Sequence, residues 1–82
     1  MRVRVLFFGR LRELAGCAED WAEVPAGARV EDVFAQYTAK IPRVNEFRAS
    51  LAVSVNEEYA QWNAPLGDGD EVAFLPPVSG GD

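Results

Sequence analysis

The stretch Val30-Glu31-Asp32-Val33-Phe34-Ala35-Gln36-Tyr37-Thr38-Ala39-Lys40-Ile41-Pro42 is the segment around which the architecture is built. Val30, Val33, Phe34, Tyr37 and Ile41 stand at i, i+3, i+4, i+7 and i+11, one apolar stripe on the helical period, so the stretch is an amphipathic helix. Glu31 and Asp32 in the first turn and Lys40 in the last complement the helix dipole, and Pro42 stops the helix. Arg29 or Ala28 stands where a Ser, Thr or Asp would accept a first-turn N–H. The missing cap predicts a cost of about 1 kcal/mol.

Before this helix the pattern has period two. Residues 2 to 8 place Val3, Val5 and Phe7 on one face and Arg2, Arg4, Leu6 and Phe8 on the other, which is a strand. The second face turns from charged to apolar along its length. The end near Leu6 and Phe8 is therefore a surface for burial against another molecule, or is covered by a loop of the same domain. Arg10 to Ala15 carries Leu11, Leu14 and Ala15 at helical spacing, closed by Gly16 in the position suited to a left-handed residue. Glu19 to Val24 forms a weaker strand ended by Pro25-Ala26-Gly27, and the two strands can pair antiparallel.

After the helix, Leu51, Val53 and Val55 alternate with Ala52, Ser54 and Asn56, and Asn56-Glu57-Glu58 turns the chain into a short strand at Tyr59 to Trp62. Pro65-Leu66-Gly67-Asp68-Gly69-Asp70 is turn-rich and leads into Glu71 to Leu75, where Val72 and Phe74 oppose Ala73 and Leu75. Two strands, one main helix and three further strands predict an α+β architecture, a mixed sheet of about five strands with the helix across one face. This is the ubiquitin-like β-grasp. The expected division is a domain over 1–75 and a flexible tail over 76–82.

Composition restricts the function. Eighty-two residues allow a single domain, which buries about 60% of its unfolded surface. Apolar residues at 49% and charged residues at 26% have the balance of a globular protein. The net charge is −5 and no Lys or Arg follows Arg48, so nucleic acid is not expected as a partner. No stretch approaches the roughly 20 apolar residues of a membrane span, and the alternating start is no signal peptide. A lone cysteine, Cys17, suits a reducing compartment, and the expected location is the cytoplasm.

The chain has no histidine, which excludes Ser-His-Asp and Cys-His units and leaves no ligand set for structural zinc. Asp68-Gly69-Asp70 lacks the ligand spacing of a calcium loop and is turn chemistry. Gly67 and Gly69 are followed by a strand and not by Gly-Lys-Ser/Thr, so they form no phosphate loop. Cys17, Trp21 and Trp62 read as packing residues.

What remains is the end, Leu75-Pro76-Pro77-Val78-Ser79-Gly80-Gly81-Asp82. Successive prolines lack amide donors, so they end sheet pairing and hold the backbone extended. From Leu75 to Gly81 the chain can reach about 20 Å at ~3.3 Å per residue, enough to enter another protein's pocket. Gly80 and Gly81 remove every Cβ from the tip, so it fits a narrow channel. A Gly81 carboxylate there could be activated as an acyl adenylate and converted to a thiocarboxylate, a tethered reactant delivered by the docked body. Gly-Gly alone is also what a frayed terminus looks like.

In Val5-Leu6-Phe7-Phe8 followed by Leu11-Arg12-Glu13-Leu14-Ala15-Gly16, in Val55-Asn56, and in Pro65-Leu66-x-Asp68-Gly69-Asp70-Glu71-Val72-Ala73-Phe74-Leu75-Pro76-Pro77-Val78-Ser79-Gly80-Gly81, the chain resembles the small subunit of molybdopterin synthase, the MoaD family. The resemblance implies a sulfur carrier for molybdenum cofactor synthesis that is no enzyme on its own and binds no cofactor tightly. An E1-like adenylyltransferase would use ATP to adenylate Gly81, and a sulfur donor such as a cysteine desulfurase would supply the sulfur. The thiocarboxylate would then enter the large subunit, whose side chains do the catalysis, and give sulfur to precursor Z (cyclic pyranopterin monophosphate). By the same resemblance Phe8, Tyr59 and Leu75 meet the large subunit, followed by Pro76, Pro77, Val78 and Ser79, with Gly80 and Gly81 at the reacting end.

Two departures matter. Arg29 stands where the family often has a capping Thr or Ser. Asp82 puts Gly81 in a peptide bond, so Asp82 is expected to be removed in the active form or to be foreign to the native chain. Sulfur carriers for thiamine or thiolated tRNA, and ubiquitin-like modifiers or interaction modules, share the expected fold and are the alternatives.

Overall fold

A computed structural model describes residues 1–77. In chain order the elements are strand β1 (Arg2–Phe7), helix α1 (Gly9–Ala15), strand β2 (Glu19–Glu23), helix α2 (Val30–Lys40), a run of 3₁₀ turns over Pro42–Ser50, and strands β3 (Ala52–Val55), β4 (Glu58–Ala60) and β5 (Glu71–Leu75). The five strands form one sheet in the order β2-β1-β5-β3-β4. Among the described residues only β1 and β5 pair in parallel, and the other neighbours are antiparallel. The expected mixed sheet under one main helix is therefore present.

The alternation read along β1 and β5 is the inside and outside of this sheet. Val3, Val5, Phe7, Val53, Val72 and Phe74 are buried beneath Val30, Val33, Phe34 and Tyr37 of α2, and Leu11, Val44 and Leu66 close the sides. Phe7 and Tyr37 meet edge to face at 4.9 Å between ring centroids, and Phe34 meets Trp62 in the same way at 5.0 Å. Trp62 closes the rim of the core, with the Arg48 guanidinium 4.3 Å from its ring centre. Among the described residues no helix is long and apolar enough to cross a membrane.

The cap of α2 differs from expectation. The Arg29 N–H donates to Asp32 Oδ2 at 2.8 Å, half of a capping box whose other half arginine cannot supply because it has no acceptor. Two further orphan donors are satisfied from a distant loop: the Val30 N–H donates to the Ala64 carbonyl (3.1 Å) and the Glu31 N–H to the Trp62 carbonyl (2.9 Å). The loop before β5 thus does the work of the missing Ser or Thr. The 3₁₀ run over Pro42–Ser50 has no counterpart in the sequence reading, because an element with one buried side chain, Val44, shows no period.

The Asp68-Gly69-Asp70 turn is held by its carboxylates, as its sequence suggests. Asp68 Oδ1 accepts the Arg2 N–H at 2.8 Å, and Asp70 accepts the Gly67 N–H on Oδ2 and the Asn56 amide on Oδ1. These bonds tie the start of β5 to β1 and to the β3–β4 turn, which fixes where β5 must point when it ends.

Candidate functional site

The sheet has α2 on one face, and its other face is divided along the strands. Register places Glu19, Leu6, Ala73, Ser54 and Tyr59 in one row across β2, β1, β5, β3 and β4. On the next row Leu75 faces Ala52, and Phe8 follows β1 on its other side. Small residues form the floor: Ala73 and Ser54 are covered by their larger neighbours. Phe8 at 43% exposure and Tyr59 at 83% stand up from it, so apolar area remains open to a partner. Of the two readings of the Leu6–Phe8 end, cover by a loop does not extend to Phe8 among the described residues.

The opposite half of the same face is charged. Arg4 donates from Nε to Glu19 at 2.9 Å and from Nη1 to Glu71 at 3.3 Å, while Arg2 pairs with Glu23 at 3.2 Å and lies 4.8 Å from the Trp21 ring centre. The hydrogen bond from Arg4, with its positive charge behind it, holds the Glu19 carboxyl below its ordinary value despite some desolvation. The Arg4 guanidinium is raised in turn, first by that hydrogen bond. A partner reading this face meets an apolar half bounded by paired charges.

Strand β5 runs through the middle of the sheet and ends at Leu75, inside the apolar half. Pro76 follows, half-buried, and Pro77 is exposed. The tail therefore begins on the surface that Phe8, Tyr59 and Leu75 form together. Val78, Ser79, Gly80, Gly81 and Asp82 lie outside the described residues.

Among the described residues no three His, Cys, Asp or Glu side chains gather where they could hold a metal ion. Cys17 lines a groove beside α1 with Gly9, Arg12, Glu13, Gly16 and Ala18, with no histidine anywhere to activate it. Tyr37, whose hydroxyl donates to Asp20 at 2.9 Å, has its own ionisation pushed up, first by burial, and stays a neutral donor.

The family model described as the ThiS family matches residues 5–81. The chain belongs to the ThiS family. This ThiS-family chain is 41% identical over 83 residues to the molybdopterin synthase sulfur carrier subunit of Chlamydomonas reinhardtii, covering 99% of itself and 100% of that protein. Among solved structures it is similar to a putative molybdopterin converting factor subunit 1 from Pyrococcus furiosus, with a TM-score of 0.84, 35% identity, and coverage of 95% and 99% of the two chains. It is also similar to a chain in the complex of subunits 1 and 2 of molybdopterin-converting factor from Helicobacter pylori, at a TM-score of 0.67 and 27% identity, covering 98% and 99%.

Sequence reading named Phe8, Tyr59 and Leu75, which strand order brings onto one face, and passed over the small residues between them. Ala52, Ser54 and Ala73 are the outward members of strands whose inward members are large. The alternation marks them as outward. That they abut one another and Leu6 depends on strand order. Gly9, where the chain leaves β1, was also passed over.

Proposed function

We propose that this chain is the sulfur-carrying small subunit of a molybdopterin synthase, working in the cytoplasm and catalysing nothing alone. The observation that carries the reading is the placement of β5: the strand leading to the diglycine ends inside the exposed apolar half-face. Docking that face on a large subunit delivers the tail in the same event, and a tethered reactant gains effective concentration. Full-length similarity to sulfur carrier subunits, and to a chain solved with its second subunit, supports the same partner.

In this reading Asp82 is removed and the Gly81 carboxylate attacks the α-phosphate of ATP on an E1-like enzyme, releasing pyrophosphate. The persulfide of a donor such as a cysteine desulfurase then displaces AMP to give an acyl disulfide, and a thiol cleaves its S–S bond, becoming part of a new disulfide and leaving a terminal thiocarboxylate. Sulfur passes to precursor Z in the large subunit, and the carboxylate returns. ATP is a substrate of the activating enzyme and not a cofactor of this chain. The test mixes the chain lacking Asp82 with the E1-like enzyme, ATP and sulfide, then adds the large subunit and precursor Z. Intact mass should show one oxygen replaced by sulfur, and dithiolene product should follow. Isopeptide-linked ladders on denaturing gels, with no sulfur gained, would identify a protein modifier instead.

A further inference from the structure

Strands β1 and β5 run in parallel register from Arg4 opposite Glu71 to Phe7 opposite Phe74. Continued past the last pair, that register sets Gly9 opposite Pro76, where both chains leave the sheet. Pro76 has no N–H with which to extend the ladder. Gly9 turns β1 into α1 with φ at +55°, in the left-handed region. A Cβ at Gly9 would stand 3.0 Å from Cγ of Pro76, inside the ~3.5–4.0 Å at which two carbons attract. Gly16, at the other end of the same helix, has φ of +79° and open space where its Cβ would be. Backbone conformation alone accounts for glycine at 16, whereas at 9 a Cβ would also crowd the proline ring.

We infer that Gly9 is a positioning residue for sulfur delivery: its bare Cα is the seat of the Pro76 ring, and this contact sets the direction in which the tail leaves the docked body. The inference rests on the carrier reading above. Two successive prolines are stiff, so displacement at Pro76 is passed along the chain and not absorbed at its root. A misplacement on the order of 1 Å at a reacting centre can cost about a hundredfold in rate.

The test uses full chains ending at Gly81 and carrying a thiocarboxylate installed by chemical ligation, which removes activation from the comparison. Wild type, Gly9→Ala, Gly16→Ala, Pro76→Ala and Gly9→Ala/Pro76→Ala are measured for affinity to the large subunit and for single-turnover sulfur transfer to precursor Z. Gly9→Ala and Gly16→Ala should both lower the melting temperature, since each places a side chain at positive φ. Affinity should stay within about twofold in Gly9→Ala and Gly16→Ala; Pro76→Ala and the double variant change a residue that meets the large subunit, so all transfer rates are read with the large subunit saturating. Transfer should fall by about tenfold or more in Gly9→Ala, hold in Gly16→Ala, and in the double variant recover to the rate of Pro76→Ala. Pro76→Ala, at a half-buried residue outside the core cluster, should itself be slower than wild type because the seat is empty.

Wild-type transfer by Gly9→Ala, equal slowing by Gly16→Ala, or no recovery in the double variant would overturn the inference. Should Gly9→Ala not fold, wild-type transfer by Pro76→Ala overturns it as well. Absence of transfer by the wild-type thiocarboxylate overturns the carrier reading instead, and this inference with it.

Discussion

Tyr59→Ala separates a docking surface from a merely exposed one. Tyr59 lies on edge strand β4 and is 83% exposed, so nothing in the folded chain depends on its ring. A tyrosine presents ~200 Å², of which ~165 Å² is therefore available to a partner. At ~25 cal/mol per Å² complete burial is worth at most ~4 kcal/mol. The hydroxyl and incomplete coverage reduce this to about 2 kcal/mol, which is a ~30-fold rise in Kd. Stability should change by less than about 1 kcal/mol, the span of β-propensity at an edge. Titration calorimetry against the large subunit, beside a thermal melt, measures both. Trp21→Ala is the internal control: this ring is 47% exposed on the same face but lies in the charged half beside Arg2. Its removal should alter Kd by less than about threefold, since isolated rim residues contribute little. Equal losses from the two variants, or none from Tyr59→Ala, would refute the division of the face into apolar and charged halves.

Three further outcomes follow from the turn and ion-pair geometry. Glu57 sits at φ of +70° in the two-residue β3–β4 turn, so Glu57→Gly should raise stability by about 1 kcal/mol in urea unfolding; a loss would show that its side chain matters more than its backbone. Asn56 tolerates φ of +52°, accepts the Glu71 N–H at 3.0 Å and donates to Asp70 at 3.1 Å, so Asn56→Ala should cost about 2–3 kcal/mol in the same assay. Glu19 has a depressed carboxyl, so its contribution is present above the ordinary carboxylate value and is lost as pH falls through its folded value. The gap in melting temperature between wild type and Glu19→Gln should therefore be open at neutral pH and close in acid, and a gap that widens in acid would contradict the assignment.

The elements were legible because their signals are local. The period-two pattern of β1 and β5 and the helical stripe of α2 each describe one segment facing one core, and Gly16 at φ of +79° ends α1 for a reason confined to its own backbone. The Pro42–Ser50 run was not legible, because 3₁₀ turns around a single buried valine leave no repeat to find.

The residue pattern is enough to say which segments are strands or helices, which side of each is apolar, and that no histidine is present for catalysis. Strand order is what places Phe8, Tyr59 and Leu75, grouped in the sequence by resemblance alone, on one surface, and the folded chain adds that the loop at Trp62–Ala64 caps α2 and that Pro76 rests on Gly9. Alternation records inside and outside but not adjacency. Which strand lies beside which is set by long-range backbone pairing and by the core that the segments bury together.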